Sequence, residues 1–272
     1  MKASSVSFVT CVKFEFGRGI ASVVPFAVAL LVCAGAAQVA FSVEAHNAGI
    51  DGVRAIDAFA YAFRGMEVFH SESRLPFIVD AYWIVPRLLV GSIACFVPVR
   101  DLKGYSAQVV TRCGSRAGWV SAKLALGAGA LVLYYFSCAF FAWLNACVWA
   151  SFGGVSSPDS ALLLGIDPHA TDASVLLALG LSFIADFSLV PLCMALTLAC
   201  GAAASFASSV VVLIASAFFS TPYLWMNATM LTRSFLDVSE GLPAETVAFT
   251  CAFVLVAGIT CCCQVGKKVE YR

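Results

Sequence analysis

Apolar residues run along this chain in long blocks, separated by short stretches where polar and charged residues gather. Blocks at about 20–43, 76–98, 119–149, 174–200, 205–225 and 244–264 each reach the roughly 20 residues that a helix needs to cross a bilayer. The fourth and fifth form one apolar stretch too long for a single helix. The break is placed at Gly201-Ala-Ala-Ala-Ser205, where small residues follow one another. Ahead of the first block, Val6, Phe8, Val9, Val12, Phe14 and Phe16 alternate with Lys2, Lys13 and Arg18. Residues 1–18 therefore read as a short helix lying in the membrane interface.

Two of the separating stretches carry their own pattern. In 44–75, Val53, Ile56, Phe59, Phe63 and Met66 recur at near-helical spacing, which predicts a helix resting on the outer surface. Between Pro222 and Pro243, residues 226–243 stay apolar through Met226, Met230, Leu231, Phe235 and Leu236. That run is too short to cross. It either dips into the membrane under a cover of protein or forms an ordinary loop. Asn227-Ala-Thr229 within it matches a glycosylation sequon.

Composition agrees with a bilayer as the main solvent: 61% of the 272 residues are hydrophobic and 12% charged, about half the charged share of a soluble domain. The net charge of zero hides an uneven distribution. With both termini inside, eleven Lys and Arg fall on inner segments and four on outer ones (Arg54, Arg64, Arg74 and Arg233), which sets the orientation. The fold class is thus an all-α integral membrane protein, a single domain of six transmembrane helices with both termini cytoplasmic. No basic run with interleaved aromatics points to nucleic acid. The first span is long for a signal sequence and is read as a retained helix. None of the twelve cysteines falls in 44–75, 150–173 or 226–243, so they read as small apolar residues within spans and not as a disulfide framework. Cys261-Cys262-Cys263 also permits acylation at the inner helix end.

The loop between the second and third spans is the most basic part of the chain. From Arg100 to Lys123 it holds five Lys and Arg against one acid, Asp101. Asp101 is suited to cap a short helix, with Leu102, Tyr105 and Val109 on one face. Gly114 can end that helix, and Trp119 and Lys123 suit the headgroup level where the third span begins. The run Asp101-x-x-Gly104, followed by Arg112-x-Gly114-Ser115-Arg116-x-x-Trp119-x-x-x-Lys123, resembles the loop between the second and third helices of bacterial ATP-binding-cassette type-2 permeases. The likeness is to the small six-helix permeases of peptide and drug exporters, and in detail it covers about a tenth of the chain.

The resemblance implies a coupling helix that docks in a cleft of an ATPase subunit, through Asp101, Lys103, Gly104, Tyr105, Arg112, Gly114, Ser115 and Arg116. It also implies two copies of a P-loop ATPase carrying ATP and magnesium, a second permease chain, and a bacterial cell membrane. No cofactor is expected on this chain. Its nearest approach to a phosphate-binding loop, Gly266-Lys267-Lys268, lacks both the loop and the hydroxyl, so ATP hydrolysis would belong to another polypeptide.

Two charges fall inside predicted spans. Arg87 and Asp186 lie about 11 and 12 residues into the second and fourth, hence at a similar depth. Either one alone at the bilayer centre costs about 2.5–3.5 kcal/mol. That penalty predicts a cross-helix pair, with Asp80, two turns outward from Arg87, as the rival partner, and a water-filled cavity as the alternative setting. Pro86 and Pro191 each remove a helix hydrogen bond nearby. His46, His70 and His169 lie in outer segments beside acids but in no metal-binding spacing. There is no nucleophile elbow and no pair of intramembrane carboxylates for proteolysis. Two other readings stand beside an exporter subunit: an ion-coupled carrier that uses Asp186, and a membrane scaffold or immunity protein that transports nothing.

Overall fold

The computed structural model describes residues 8–69, 77, 79–113, 116–154, 157–167, 170–237 and 241–268, with the side chains of 101–115 and of nearly all residues before Val23 outside that description. Every regular element among the described residues is helical. The α-helices are α1 (Phe8–Asn47), α2 (Ala55–Tyr61), α3 (Ala81–Cys113), α4 (Arg116–Ser151), α5 (Asp172–Cys200), α6 (Ala202–Phe218) and α7 (Ala244–Lys268). Short 3₁₀ turns cover Pro158–Leu164, Trp225–Thr229 and Leu231–Arg233.

Five helical stretches are long and apolar enough to cross a membrane: Val23–Asn47, Ala81–Arg100, Arg116–Ser151, Asp172–Cys200 and Ala244–Gly266. The chain is an all-α protein of membrane-spanning type. The remaining long helix, α6, is apolar but has 17 residues, about 25 Å at 1.5 Å per residue. It is set off from α5 by Gly201 alone, whose φ of +94° turns the chain where an L-residue with a Cβ would be strained. Residues 219–225, expected to complete a span, instead leave the helix and fold back.

α3 packs on α4 and α5 on α6, each pair joined by a short connection. α5 lies at the centre, packed most extensively on α7 and also on α3 and α6, while α1 packs on α4 and α3. Close packing of helices in lipid relies on small residues, since apolar side chains gain nothing by leaving an apolar solvent. Gly127 of α4 shows this against α5, where a Cβ would stand 2.5 Å from Val190 Cγ1.

Two expected breaks do not occur. α1 runs unbroken from Phe8 through Pro25 to Asn47, so among the described residues no break separates the expected interfacial helix from the first span. α3 likewise continues from the apolar stretch through Pro98 to Cys113, which places Asp101 inside a helix and not at a helix start. The physical reason is common to both. A helix satisfies its backbone internally in lipid and in water alike, so a change from apolar to polar sequence demands no break. Trp119 and Lys123, near the start of α4, are 2% and 4% exposed and pack against the other helices. Trp119 joins Val120, Met194 and Cys262 in a small core at that end.

The opposite end is closed by a cap built from all three of its connections. α2 is not laid on a surface: Ala58, Ala60 and Phe63 are fully buried, and the helix packs on α1, α4 and α5. Arg54 binds Asp57 through Nε at 2.8 Å and reaches Asp172 of α5 at 3.6 Å, while Ser160 donates to the buried Asp57. Leu231 N and Thr232 N donate to Phe63 O and Arg64 O at 2.9 and 3.1 Å, and Asp167 N donates to Leu236 O at 3.2 Å. Irregular backbone can lie within a membrane bundle only when protein partners satisfy it, and these bonds do so.

Candidate functional site

Two opposite charges meet inside the bundle. Arg87 of α3 and Asp186 of α5 are 2% and 3% exposed and face each other across the helix pair. Arg87 Nε lies 2.9 Å from Asp186 Oδ1, an ionic contact without hydrogen-bond alignment, and Nη2 donates to Oδ2 at 3.2 Å. The two-point geometry matches the planar guanidinium to the planar carboxylate. Arg87 Nη1 also donates to Trp83 O at 2.6 Å, one turn earlier on α3, and the guanidinium stands 5.3 Å from the Trp83 ring centre.

Equal counting from the span starts does not explain this meeting. Arg87 lies six residues after the start of α3, Asp186 fourteen after the start of α5. α5 therefore begins about 12 Å farther toward the cap, by the helical rise, and the pair forms because of that offset. Asp80, the rival, does not pair with Arg87. Its carboxylate accepts from Tyr82 N at 2.9 Å, and its carbonyl accepts from Trp83 N and Ile84 N, so it caps α3. Burial pushes the Asp80 carboxyl above its ordinary value, partly offset by the hydrogen bond from Tyr82 and the positive charges of Arg64 and Arg87.

A second layer holds the pair. Tyr135 of α4 donates through its hydroxyl to Asp186 Oδ2 at 2.9 Å and stands 3.0 Å from Ser182 Oγ. Phe63, from the segment after α2, covers Tyr135 with ring centres 4.5 Å apart. On the other side, Arg87 Nη2 donates to Thr229 O at 3.3 Å, and Trp83 Nε1 donates to Thr229 Oγ1 at 2.7 Å. The pair is thus the node where α3, α4, α5 and both buried cap segments meet. The space beside it, bounded by Pro86, Val90, Leu131 and Leu189, has no room for a water molecule.

Residues 225–233 are buried throughout, so this segment enters the bundle and reaches the level of Arg87. Arg233, counted from sequence among the outer charges, is fully buried. Its guanidinium donates to five oxygens: Met66 O, Glu67 O, Ser216 O, Ala217 O and Asn227 Oδ1, at 2.6 to 3.1 Å. It thereby closes the C-terminal end of α6, whose last carbonyls lack helix partners. Desolvation lowers its pKa to about 10, so it remains charged at neutral pH. Asn227 is 1% exposed and donates to Phe219 O and Thr221 O, which takes the sequon out of reach in the folded protein.

The basic end presents a different geometry. α3 extends beyond Arg100 for thirteen residues and α4 begins at Arg116, so the two form a helical hairpin there. Lys103, Gly104, Tyr105 and Arg112 lie on the α3 extension, Arg116 opens α4, and Gly114 and Ser115 lie outside the described residues. Among the described residues no group of His, Cys, Asp and Glu is placed to hold a metal. His46 is exposed; His70 and His169 lie outside the described residues.

No family model, curated protein or solved structure matches this chain.

Proposed function

We propose that this chain is the membrane-spanning subunit of an ATP-driven exporter, crossing six times with both ends in the cytoplasm. It would carry a drug, peptide or lipid-like substrate. A P-loop ATPase in two copies would supply ATP and magnesium, and a second permease chain would complete the pore in a bacterial cell membrane. The observation that supports this reading most is the continuity of α3. One helix of 33 residues holds Arg87 in the buried node and runs on into the basic hairpin. Force applied by a partner at the hairpin would pass along this one helix, through Pro98, to the place where three helices and both cap segments meet. The resemblance of Asp101 to Lys123 to a coupling loop supplies the class of partner.

The ion-coupled reading needs water or an ion to reach Asp186. That carboxylate is held by Arg87 and Tyr135 in a space without room for water, which weighs against the carrier. The test is a pull-down in mild detergent of the tagged protein beside an Arg112→Glu, Arg116→Glu variant. A P-loop ATPase recovered with the native hairpin and lost with the variant supports the exporter subunit. Well-folded native protein that recovers no ATPase overturns it.

A further inference from the structure

A buried cluster of thiols and hydroxyls lies beyond the ion pair, toward the end of the bundle where α5 turns into α6. Cys95 follows Arg87 by eight residues on α3 and Cys193 follows Asp186 by seven on α5, so the two helices meet again about 11 Å along. Both residues are free thiols, 0% and 1% exposed, and their side chains face each other. Ser205 of α6 joins them: its Oγ stands 3.2 Å from Cys95 Sγ and donates to Cys193 O at 2.7 Å. Thr197, one turn after Cys193, turns its hydroxyl toward Cys95, yet that buried oxygen has no hydrogen-bond partner. A buried polar group left unpaired costs about 1–3 kcal/mol, so a position that needed only filling would be better served by valine. Cys193, Thr197 and Cys200 fall at spacings of four and three, hence on one face of α5, and Cys200 is exposed. This stripe leads from the surface to the thiols within about 10 Å.

We propose that Cys95 and Cys193 bind a soft monovalent cation, Cu(I) or Ag(I), between their two sulfurs. The donor set decides the ion. Calcium and magnesium take oxygen ligands, and structural zinc takes four ligands; no three of His, Cys, Asp and Glu gather among the described residues. Thiolates select Cu(I), and a monovalent ion of this kind is satisfied by two sulfurs in line. Binding displaces both thiol protons: one cation and two thiols give a metal bis-thiolate with one negative charge, and two protons leave to water. That residual charge needs donors, and here the orphaned Thr197 hydroxyl gains a use. A thiol sulfur accepts hydrogen bonds weakly, whereas hydrogen bonds to an ionised acceptor are strong. Ser205 can turn its proton from Cys193 O to the same sulfur. The proposal stands on this cluster and does not depend on the exporter reading.

The test is a competition titration of the full chain, in detergent and without oxygen, with Cu(I) supplied from a bicinchoninate buffer. The parent should hold one tightly bound ion more than the Cys95→Ser, Cys193→Ser variant. Thr197→Val keeps the shape of the side chain and removes only the hydroxyl. It should still bind, but about tenfold more weakly, the worth of a hydrogen bond to a charged group. Cys200→Ser leaves the pair intact and should leave the affinity unchanged, which controls for binding by any exposed thiol. Equal stoichiometry in the parent and the double variant would overturn the proposal. So would a loss in Cys200→Ser as large as that in the double variant. Should the double variant fail to fold, Thr197→Val decides alone: an affinity equal to the parent's would overturn the proposal.

Discussion

Removing one charge of the Arg87–Asp186 pair should destabilise the protein more than removing both. Arg87→Met strips Asp186 of its cation but leaves the Tyr135 hydroxyl, and a lone buried carboxylate can take a proton and become neutral. The loss should fall near the lower end for breaking a buried pair, about 3 kcal/mol. Asp186→Leu is worse. It strands a guanidinium that cannot shed its proton, with only Trp83 O, Thr229 O and the Trp83 ring for company, so the loss should be about 5 kcal/mol. With both replaced, no buried charge remains. The residual penalty is chiefly Thr229 O without its donor, and the double variant should lie within about 2 kcal/mol of the parent. The assay is reversible unfolding of the purified protein in mixed micelles with rising dodecyl sulfate. Additive losses, or a harmless Arg87→Met, would refute the reasoning, because either would mean the two charges do not depend on each other.

Three further outcomes follow from the cap. Arg233→Lys should not replace arginine: an ammonium cannot reach oxygens from five residues at once, so the loss should be at least about 3 kcal/mol, read as earlier unfolding and faster proteolysis within 219–243. Gly65→Ala meets both a φ of +74° and Met230 Cβ 2.6 Å from the new methyl, and should lower stability by about 2 kcal/mol or more in the same unfolding assay. The raised Asp80 carboxyl means that the folded state binds this proton more tightly than the unfolded chain does. Stability from this group should therefore fall as pH rises from 3.8 through its raised value and level off above it. Asp80→Asn keeps an acceptor for Tyr82 N and should flatten that part of the melting-temperature profile; an unchanged profile would show that the carboxyl is not the cause.

Much of the bundle was legible because a bilayer enforces a simple rule. Every crossing must be a long apolar helix, and Gly201 amid small residues marks the turn between α5 and α6. The Arg87–Asp186 pairing was legible for a similar reason, since two costly charges in lipid have few neutral solutions. The cap was not. Its segments are irregular, and no periodicity reveals that Phe63 and Thr229 approach the same ion pair from different connections. A signal did exist at Arg233: a cation among Met230, Leu231, Phe235 and Leu236 is poorly placed for water. Counting it only as an outer charge overlooked that backbone carbonyls can hold a guanidinium as well as water can. At the polar end the error had the opposite form, since charge at Asp101 and Lys103 was taken as the end of a helix that in fact continues.

The claim that this chain works under an ATPase is tested most directly at Tyr105, on the α3 extension. A photo-crosslinking amino acid placed there in living cells, followed by mass spectrometry of the adducts, identifies what touches the hairpin. The account predicts adducts to a P-loop ATPase, lost when Arg112 and Arg116 are both changed to Glu. Adducts that contain no ATPase, from protein that is expressed and folded, would contradict it.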